Sequence, residues 1–201
     1  MDTAIIKYNA GNVQSVKYAL DRIGVKYRLT DNASEIMSAD KVIFPGVGEA
    51  STAMNYLKEN GLDNVLRSLT QPTLGVCLGL QLMCKHTEEN DTECLGLFDI
   101  DVKKFKTDPN TVIPYKIPHM GWNKLAYKEH PLFEGMPAQP QFYFVHSYYA
   151  PLSKYTLASA NYMHDFSVVI QRNNFYAIQP HPEKSSDAGS LFLKNFIEKI
   201  K

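Results

Sequence analysis

The sequence predicts a doubly wound α/β domain, in which a mainly parallel sheet carries helices on both faces. Short apolar runs typical of strands alternate with segments whose apolar residues recur at helical spacing. This alternation favours parallel strands that are buried on both faces. The chain has 201 residues, 44% of them hydrophobic and 21% charged, which is enough apolar material for one well-buried domain. We therefore assign residues 1–201 to a single domain.

The first part of the chain supplies the alternating elements. TAIIKY (residues 3–8) predicts a buried strand, and the apolar residues after Gly11 repeat at helical spacing up to Gly24. The same alternation then predicts a strand at VKYRL, a short helix over 31–37, a strand at KVIF, a helical region over 49–69 interrupted near Gly61, and a fourth strand at TLGVC.

From Leu95 onward, strand-like runs are separated by turns, and they predict an antiparallel β extension in the C-terminal half. These runs are FDIDVKKF, VIPYKI, FYFVHSYY, YTLASA, SVVIQR and FYAIQ. A last helix follows, with Ser185 or Ser186 as its candidate N-cap. Its predicted apolar face consists of Leu191, Phe192, Phe196, Ile197 and Ile200.

Charge and cysteine content narrow the class of protein. Lys and Arg together number 21, as do Asp and Glu, so no basic field is present to attract nucleic acid or anionic lipid. No leader pattern and no membrane-spanning run is found, which predicts a cytoplasmic protein. The three cysteines form neither a disulfide framework nor a metal motif, so we expect no metal site. We also expect no cofactor.

Cys77 lies between two glycines, in Gly75-Val76-Cys77-Leu78-Gly79, where a predicted strand gives way to a helix. This is the cysteine counterpart of the G-x-S-x-G nucleophile elbow. A helix N-terminus favours the thiolate, and a free Leu78 amide would face a developing oxyanion. An inert buried cysteine is the alternative interpretation. Cys84 and Cys94 lack this context, and we interpret them as a structural residue and a loop residue.

A nucleophilic thiol needs a base and a group that orients the base. The predicted strand FYAIQ is followed by Pro180-His181-Pro182-Glu183, whose i, i+2 spacing lets the carboxylate approach the imidazole. This arrangement suits a Cys–His–Glu triad, with a surface turn as the alternative. The other histidines are not predicted as bases, because they precede a turn proline (His130), look exposed (His86, His164) or lie in aromatic runs (His119, His146).

After the strand KVIF, Pro45-Gly46-Val47-Gly48 forms a glycine-rich turn whose amides could face a substrate. The turn lacks the spacing and the Lys-Ser/Thr pair of a phosphate loop. An ordinary β–α turn is the alternative interpretation.

In this order, the segments resemble the class I glutamine amidotransferases with a Cys-His-Glu triad. IPHMGWN (117–123), YFVHSYY (143–149), PGVG, GVCLGLQ and HPEKSS, with the opening KYNAGNVQSV, look like the glutaminase subunits of the histidine pathway. PHMGWN discriminates most, because related glutaminases share the elbow and HPE but lack that run. The resemblance implies a flavodoxin-like sheet with an antiparallel extension.

The resemblance also implies roles for individual residues. Cys77 would attack the carboxamide of glutamine, His181 would transfer the proton and Glu183 would hold the imidazole. The oxyanion would lie between the amides of Val47 and Leu78. Glutamine-binding positions would be Gly48, Gln81, Glu89, Ser147 and Tyr148.

The implied partner is a (β/α)8-barrel cyclase subunit, which would receive ammonia and make imidazole glycerol phosphate and aminoimidazole carboxamide ribotide. The face toward it would comprise His119, Met120, Gly121, Trp122, Asn123 and Tyr143. Three alternatives stay open on the sequence: a glutaminase that feeds another synthase, for example in sugar amidation, a stand-alone cysteine hydrolase or isomerase, and a non-catalytic binding module.

Overall fold

The computed structural model describes residues 1–9, 13–107 and 115–201. The strands are β1 (Thr3–Ile6), β2 (Tyr27–Thr30), β3 (Lys41–Phe44), β4 (Thr73–Val76), β5 (Cys84–Thr87), β6 (Thr92–Glu93), β7 (Phe98–Lys104), β8 (His119–Lys124), β9 (Ala126–Tyr127), β10 (Gln141–His146), β11 (Tyr148–Tyr149), β12 (Thr156–Tyr162), β13 (His164–Arg172) and β14 (Phe175–Ile178). The α-helices are α1 (Val13–Arg22), α2 (Ala33–Ser38), α3 (Ala50–Glu59), α4 (Leu62–Ser68), α5 (Leu78–Met83) and α6 (Ser186–Lys199). Single 3₁₀ turns cover Glu89–Asp91, Pro131–Phe133 and Pro182–Lys184.

The main sheet, as far as the described residues show it, has eight strands in the order β2-β1-β3-β4-β14-β13-β12-β9. The first five strands pair in parallel, in the order expected of a flavodoxin-like fold. β13, β12 and β9 continue the sheet with antiparallel pairing. The predicted fold class, a doubly wound sheet with an antiparallel extension, is confirmed.

Several strands lie elsewhere than the sequence predicts: β7, β10 and β11 belong to separate sheets, and β7 pairs in parallel with β5. The pattern places FYAIQ in the antiparallel extension, but β14 pairs in parallel with β4 at the centre of the sheet and is antiparallel only to β13. All four of its residues are buried, as expected of a strand covered on both faces.

The core has two parts, one on each face of the sheet. Side chains alternate between the faces along each strand, so that Ile5 packs with α1 and α6 while Ile6 packs with α2 to α5. Phe192, Phe196 and Ile197 on α6 are buried as predicted, and so is Ile200 just after the helix. Leu193 takes the place expected for Leu191. The buried side of α6 packs against the sheet. This packing holds the start of the helix in place, together with the preceding turn Pro182–Lys184.

The remaining described strands form two smaller sheets. β8 pairs with β10, and β5, β6, β7 and β11 form a four-stranded sheet. The sequence pattern does not predict β5 or β8. Of the predicted strand VIPYKI, residues 112–114 lie outside the described residues and 115–117 are not in a strand, and residues 10–12 of the opening motif also lie outside them.

Candidate active site

The two central strands bring Cys77 and His181 to the same edge of the sheet. Val76 at the end of β4 pairs with Ile178 at the end of β14. The Cys77 amide continues this pairing by donating a hydrogen bond to the Ile178 carbonyl oxygen at 2.8 Å. Because neighbouring parallel strands end together, residues that are remote in sequence meet there.

The Cys77 backbone has φ 53° and ψ −108°, an uncommon conformation for a residue with a side chain. Such backbone strain costs on the order of 1–3 kcal/mol and is typical of functional sites. Gly79 permits the turn, since a Cβ there would lie 2.2 Å from the Phe44 carbonyl oxygen. The sequence-predicted elbow is therefore present, with α5 packed directly against the end of β3.

His181 and Glu183 form a buried pair, with 2.7 Å between Nδ1 and Oε1. The His181 amide donates to the Tyr143 carbonyl oxygen at 2.9 Å. Ser185 Oγ donates to the His181 carbonyl oxygen at 2.6 Å and accepts from the Tyr143 amide at 3.0 Å. Ser185 occupies the predicted N-cap position of α6, but its hydroxyl makes no capping hydrogen bond and instead ties the histidine loop to β10.

The charge state of His181 is set by opposing effects. Burial alone lowers its pKa, but hydrogen bonds to Cys77 and Glu183 and their charges outweigh burial and raise the pKa to about 10. These partners therefore favour the protonated form of the imidazole. A protonated imidazole beside a thiol favours the thiolate, which is the nucleophilic form.

A cavity of about 330 Å³ opens in front of Cys77, at the small end of the range of roughly 300–1,000 Å³ for small-molecule sites. Nine sequence-predicted residues line it: Val47, Gly48, Cys77, Leu78, Gln81, Glu89, Ser147, Tyr148 and His181. Glu183 does not line the cavity and lies behind the imidazole. Pro118, Val145 and His146 complete the wall.

The Leu78 amide, which the sequence predicts to be free, donates a hydrogen bond to the Gly46 carbonyl oxygen at 3.2 Å. The glycine turn packs this closely because residue 46 has no side chain, and a Cβ there would lie 2.7 Å from the Gly79 amide nitrogen. In this conformation the Leu78 amide is hydrogen-bonded to a carbonyl oxygen and is not available to an oxyanion.

Glu89 is half-buried at the cavity wall, and its Oε2 accepts a hydrogen bond from the Ala50 amide at 2.8 Å. Burial raises the pKa of Glu89, the Ala50 hydrogen bond opposes this shift, and the charge of Glu49 adds to it. A positively charged ligand group would stabilise this carboxylate.

The strand pair β8–β10 divides the predicted partner residues between two sides. Met120 and Trp122 are 62% and 53% exposed. Trp122 pairs with Tyr143 across the strands, with ring centroids 6.1 Å apart. His119 is only 3% exposed and points inward to His146. Its side chain therefore does not belong to the exposed face.

Sequence reasoning missed Gln179 and assigned His146 to packing. The Gln179 side chain is fully buried, and its Nε2 lies 3.9 Å from Cys77 Sγ. The sequence does hold a signal for Gln179, because this polar residue directly follows an apolar strand and stands two residues before His181. A polar side chain at that position is expected to be buried close to the reactive groups. Among the described residues no cluster of His, Cys, Asp or Glu could hold a metal ion, and no helix is long and apolar enough to cross a membrane.

Comparison with known proteins defines the class. The family model of class-I glutamine amidotransferases matches residues 4–200. The chain belongs to this family, and it is a glutamine amidotransferase. A solved structure from Thermoplasma acidophilum, described as that of a putative GMP synthase subunit, has the same fold, with a TM-score of 0.73 at 19% identity over 98% of this chain and 92% of that chain.

Within the family, two full-length relatives carry a more particular name. The imidazole glycerol phosphate synthase subunit HisH of Bacteroides thetaiotaomicron is 50% identical over 98% of this chain and 100% of the relative. The subunit of the same name from Pasteurella multocida is 48% identical over 98% of each chain.

Proposed function

We propose that the chain is the glutaminase subunit of an imidazole glycerol phosphate synthase and supplies ammonia for histidine biosynthesis. The observation that carries the chemistry is the meeting of Cys77 and His181 in one cavity, with Glu183 hydrogen-bonded behind the imidazole. The named relatives, matched over nearly their whole length, support the pathway.

In the first half-reaction, Cys77 Sγ attacks the carboxamide carbon of glutamine after its proton has passed to His181. The tetrahedral intermediate collapses as the carbon–nitrogen bond breaks and His181 gives the proton to the departing ammonia. A thioester to Cys77 remains. Glu183 keeps the imidazole oriented and stabilises its positive charge throughout.

In the second half-reaction, water adds to the thioester carbon and gives a proton to His181. The carbon–sulfur bond breaks, the proton returns to the sulfur, and glutamate leaves. Both tetrahedral intermediates carry an oxyanion, for which the amides of Val47 and Leu78 are the proposed donors.

Glutamine would lie against Gly48, Gln81, Ser147 and Tyr148, which line the cavity around the nucleophile. Glu89 would receive the ammonium group of the substrate. Its half-buried carboxylate lies beside an acidic neighbour, Glu49, so a cation at this position relieves an unfavourable charge.

The proposed partner is a (β/α)8-barrel cyclase subunit that docks on the exposed face of β8–β10, which carries Met120 and Trp122 and is continued by Tyr143. Ammonia would pass to that subunit, which joins it to a ribonucleotide and forms imidazole glycerol phosphate and aminoimidazole carboxamide ribotide. The ring-forming and bond-cleaving steps belong to the partner.

The test is to purify the chain with the cyclase and to measure imidazole glycerol phosphate formed from glutamine and, separately, from ammonium salt. Cys77→Ala should abolish only the glutamine-dependent reaction, because the cyclase needs ammonia alone. Cys94→Ala, a buried cysteine outside the cavity, should retain both reactions. A Cys77→Ala complex that still uses glutamine would overturn the catalytic assignment, and a chain that neither binds nor feeds this cyclase would overturn the pathway.

A further inference from the structure

Two buried imidazoles lie between the exposed β8–β10 face and the cavity. His119 and His146 are opposite each other in the strand register, and His119 Nδ1 lies 2.9 Å from His146 Nε2. The His119 ring stacks against Phe144 and Tyr162, with centroids 4.7 and 4.0 Å away. A phenyl ring would serve such packing equally well, so the ring nitrogens require a separate explanation.

The partners of the two rings fix their tautomers. His146 Nδ1 lies 2.7 Å from the Tyr148 carbonyl oxygen, which can only accept, so Nδ1 carries the hydrogen. In a neutral ring Nε2 is then an acceptor, and His119 Nδ1 must donate to it. His119 Nε2 is left to accept from Asn123 Nδ2 at 3.4 Å.

Burial keeps both rings neutral. It lowers the pKa of His119 to about 4. It also lowers the pKa of His146 to about 3, against a raising hydrogen bond to the Tyr148 carbonyl and with added repulsion from His119 and His181. At neutral pH, therefore, His119 donates to His146 and His146 donates to the Tyr148 carbonyl oxygen, so each donor points from β8 toward the cavity.

The Tyr148 carbonyl oxygen joins this pair to the nucleophile. It also lies 3.4 Å from Gln81 Nε2, which is 3.4 Å from Gln179 Oε1. Gln179 Nε2 is in turn 3.9 Å from Cys77 Sγ. A continuous series of polar contacts thus runs from the strand that carries Trp122 to the sulfur atom.

We propose that His119 and His146 are positioning residues for glutamine hydrolysis, which set the Tyr148 carbonyl and, through the Gln81 and Gln179 amides, the sulfur of Cys77. The reaction itself rests on the proposed function. In this role the inward side of β8 supports the nucleophile, while its opposite, exposed side is the one expected to carry the partner. An Nδ1 donor on each ring is required, and a ring of the same shape without nitrogens does not replace it.

The test uses the free full-length chain and needs no glutamine. Long-range ¹H–¹⁵N spectra of the imidazoles should show both rings as neutral Nδ1–H tautomers, which are the minor form of free imidazole side chains. Alkylation of Cys77 by iodoacetamide at pH 7, followed by peptide mass, then reports on the sulfur. The matched variants are His119→Asn, whose amide reaches the Nδ1 position, His119→Gln, whose amide reaches the Nε2 position, and His119→Phe, which keeps only the ring.

Loss of the donor lets the Gln179 amide leave the sulfur, so His119→Gln and His119→Phe should slow alkylation by at least about fivefold, while His119→Asn stays within about twofold. Nε2–H tautomers in the unmodified chain would overturn the proposal, and this measurement needs no variant to fold. Equal alkylation rates in folded His119→Phe and the unmodified chain would also overturn it. Neither the tautomers nor the alkylation rate depends on glutamine turnover. Failure of the glutaminase assay would therefore contradict the proposed function without deciding the positioning role of the two histidines.

Discussion

The amide of Leu78 donates a hydrogen bond to the carbonyl oxygen of Gly46, with 3.2 Å between nitrogen and oxygen. One of the two proposed oxyanion donors is therefore occupied by the glycine turn that carries the other, Val47. The turn must rearrange before both amides can face the oxyanion. This conformation fits a glutaminase that is slow until its partner binds. Such a glutaminase releases little ammonia when no partner is present to consume it.

We expect glutamine turnover by the isolated chain to be low and to rise by at least about 10² to 10³ when cyclase and its nucleotide ligand are added, since one missing oxyanion donor has an effect of this size. Glutamate release measures both rates. Equal rates for the chain alone and for the mixture would contradict a partner-gated mechanism and favour a stand-alone hydrolase.

The His181–Glu183 pair predicts a graded loss of activity. His181→Ala should lower glutaminase turnover by several orders of magnitude, because members of a triad act as a unit. Glu183→Gln keeps the contact 2.7 Å from Nδ1 but removes the negative charge, so a smaller loss is expected. The exposed His164→Ala is the control. Turnover of the His181→Ala complex near that of the control would remove His181 from the triad.

The order of the first elements can be predicted because they alternate locally between buried strands and amphipathic helices. The place of β14 cannot, since its pairing with β4 is a contact between remote segments that leaves no local pattern. β5 is missed because only its first residue, Cys84, is apolar, so its sequence shows no strand pattern.

Cys77, His181 and Glu183 are predicted from local motifs. The blocked Leu78 amide and the contact between His119 and His146 depend on how separate loops and strands pack, so only the structure reveals them.

The buried imidazoles predict a loss of stability in mild acid. The pKa of His119 and His146 is lowered by burial to about 4 and about 3, whereas the unfolded chain has an ordinary histidine pKa near 6.5. The unfolded state therefore binds more protons below pH 6.5, and stability falls as pH falls toward the folded values. Urea unfolding should show a decrease of at least about 1 kcal/mol between pH 7 and pH 5, where most carboxylates stay ionised.

His119→Phe is the matched variant for this measurement, because it keeps the ring stacked on Phe144 and Tyr162 and removes one titrating group. Its stability should depend less on pH over the same range. An unchanged slope would show that His119 does not contribute to the acid sensitivity.

Trp122 gives the sharpest test of the partner face. Its side chain is 53% exposed and contacts the Tyr143 ring edge-on, so the fold gains little from it. Trp122→Ala should change the free energy of unfolding by less than about 1 kcal/mol, as is usual for surface substitutions. At an interface an aromatic anchor contributes about 2 kcal/mol or more, so cyclase binding should weaken by at least about tenfold.

The single tryptophan also provides the signal for the unsubstituted chain, since its fluorescence should change when the cyclase covers it. Met37→Ala, at a 57% exposed residue on α2, is the matched control and should leave both binding and activation unchanged. Binding is measured by titration of the cyclase, and activation by the ratio of glutamate release with and without it. If Trp122→Ala binds and activates as the control does, β8–β10 is not the partner face.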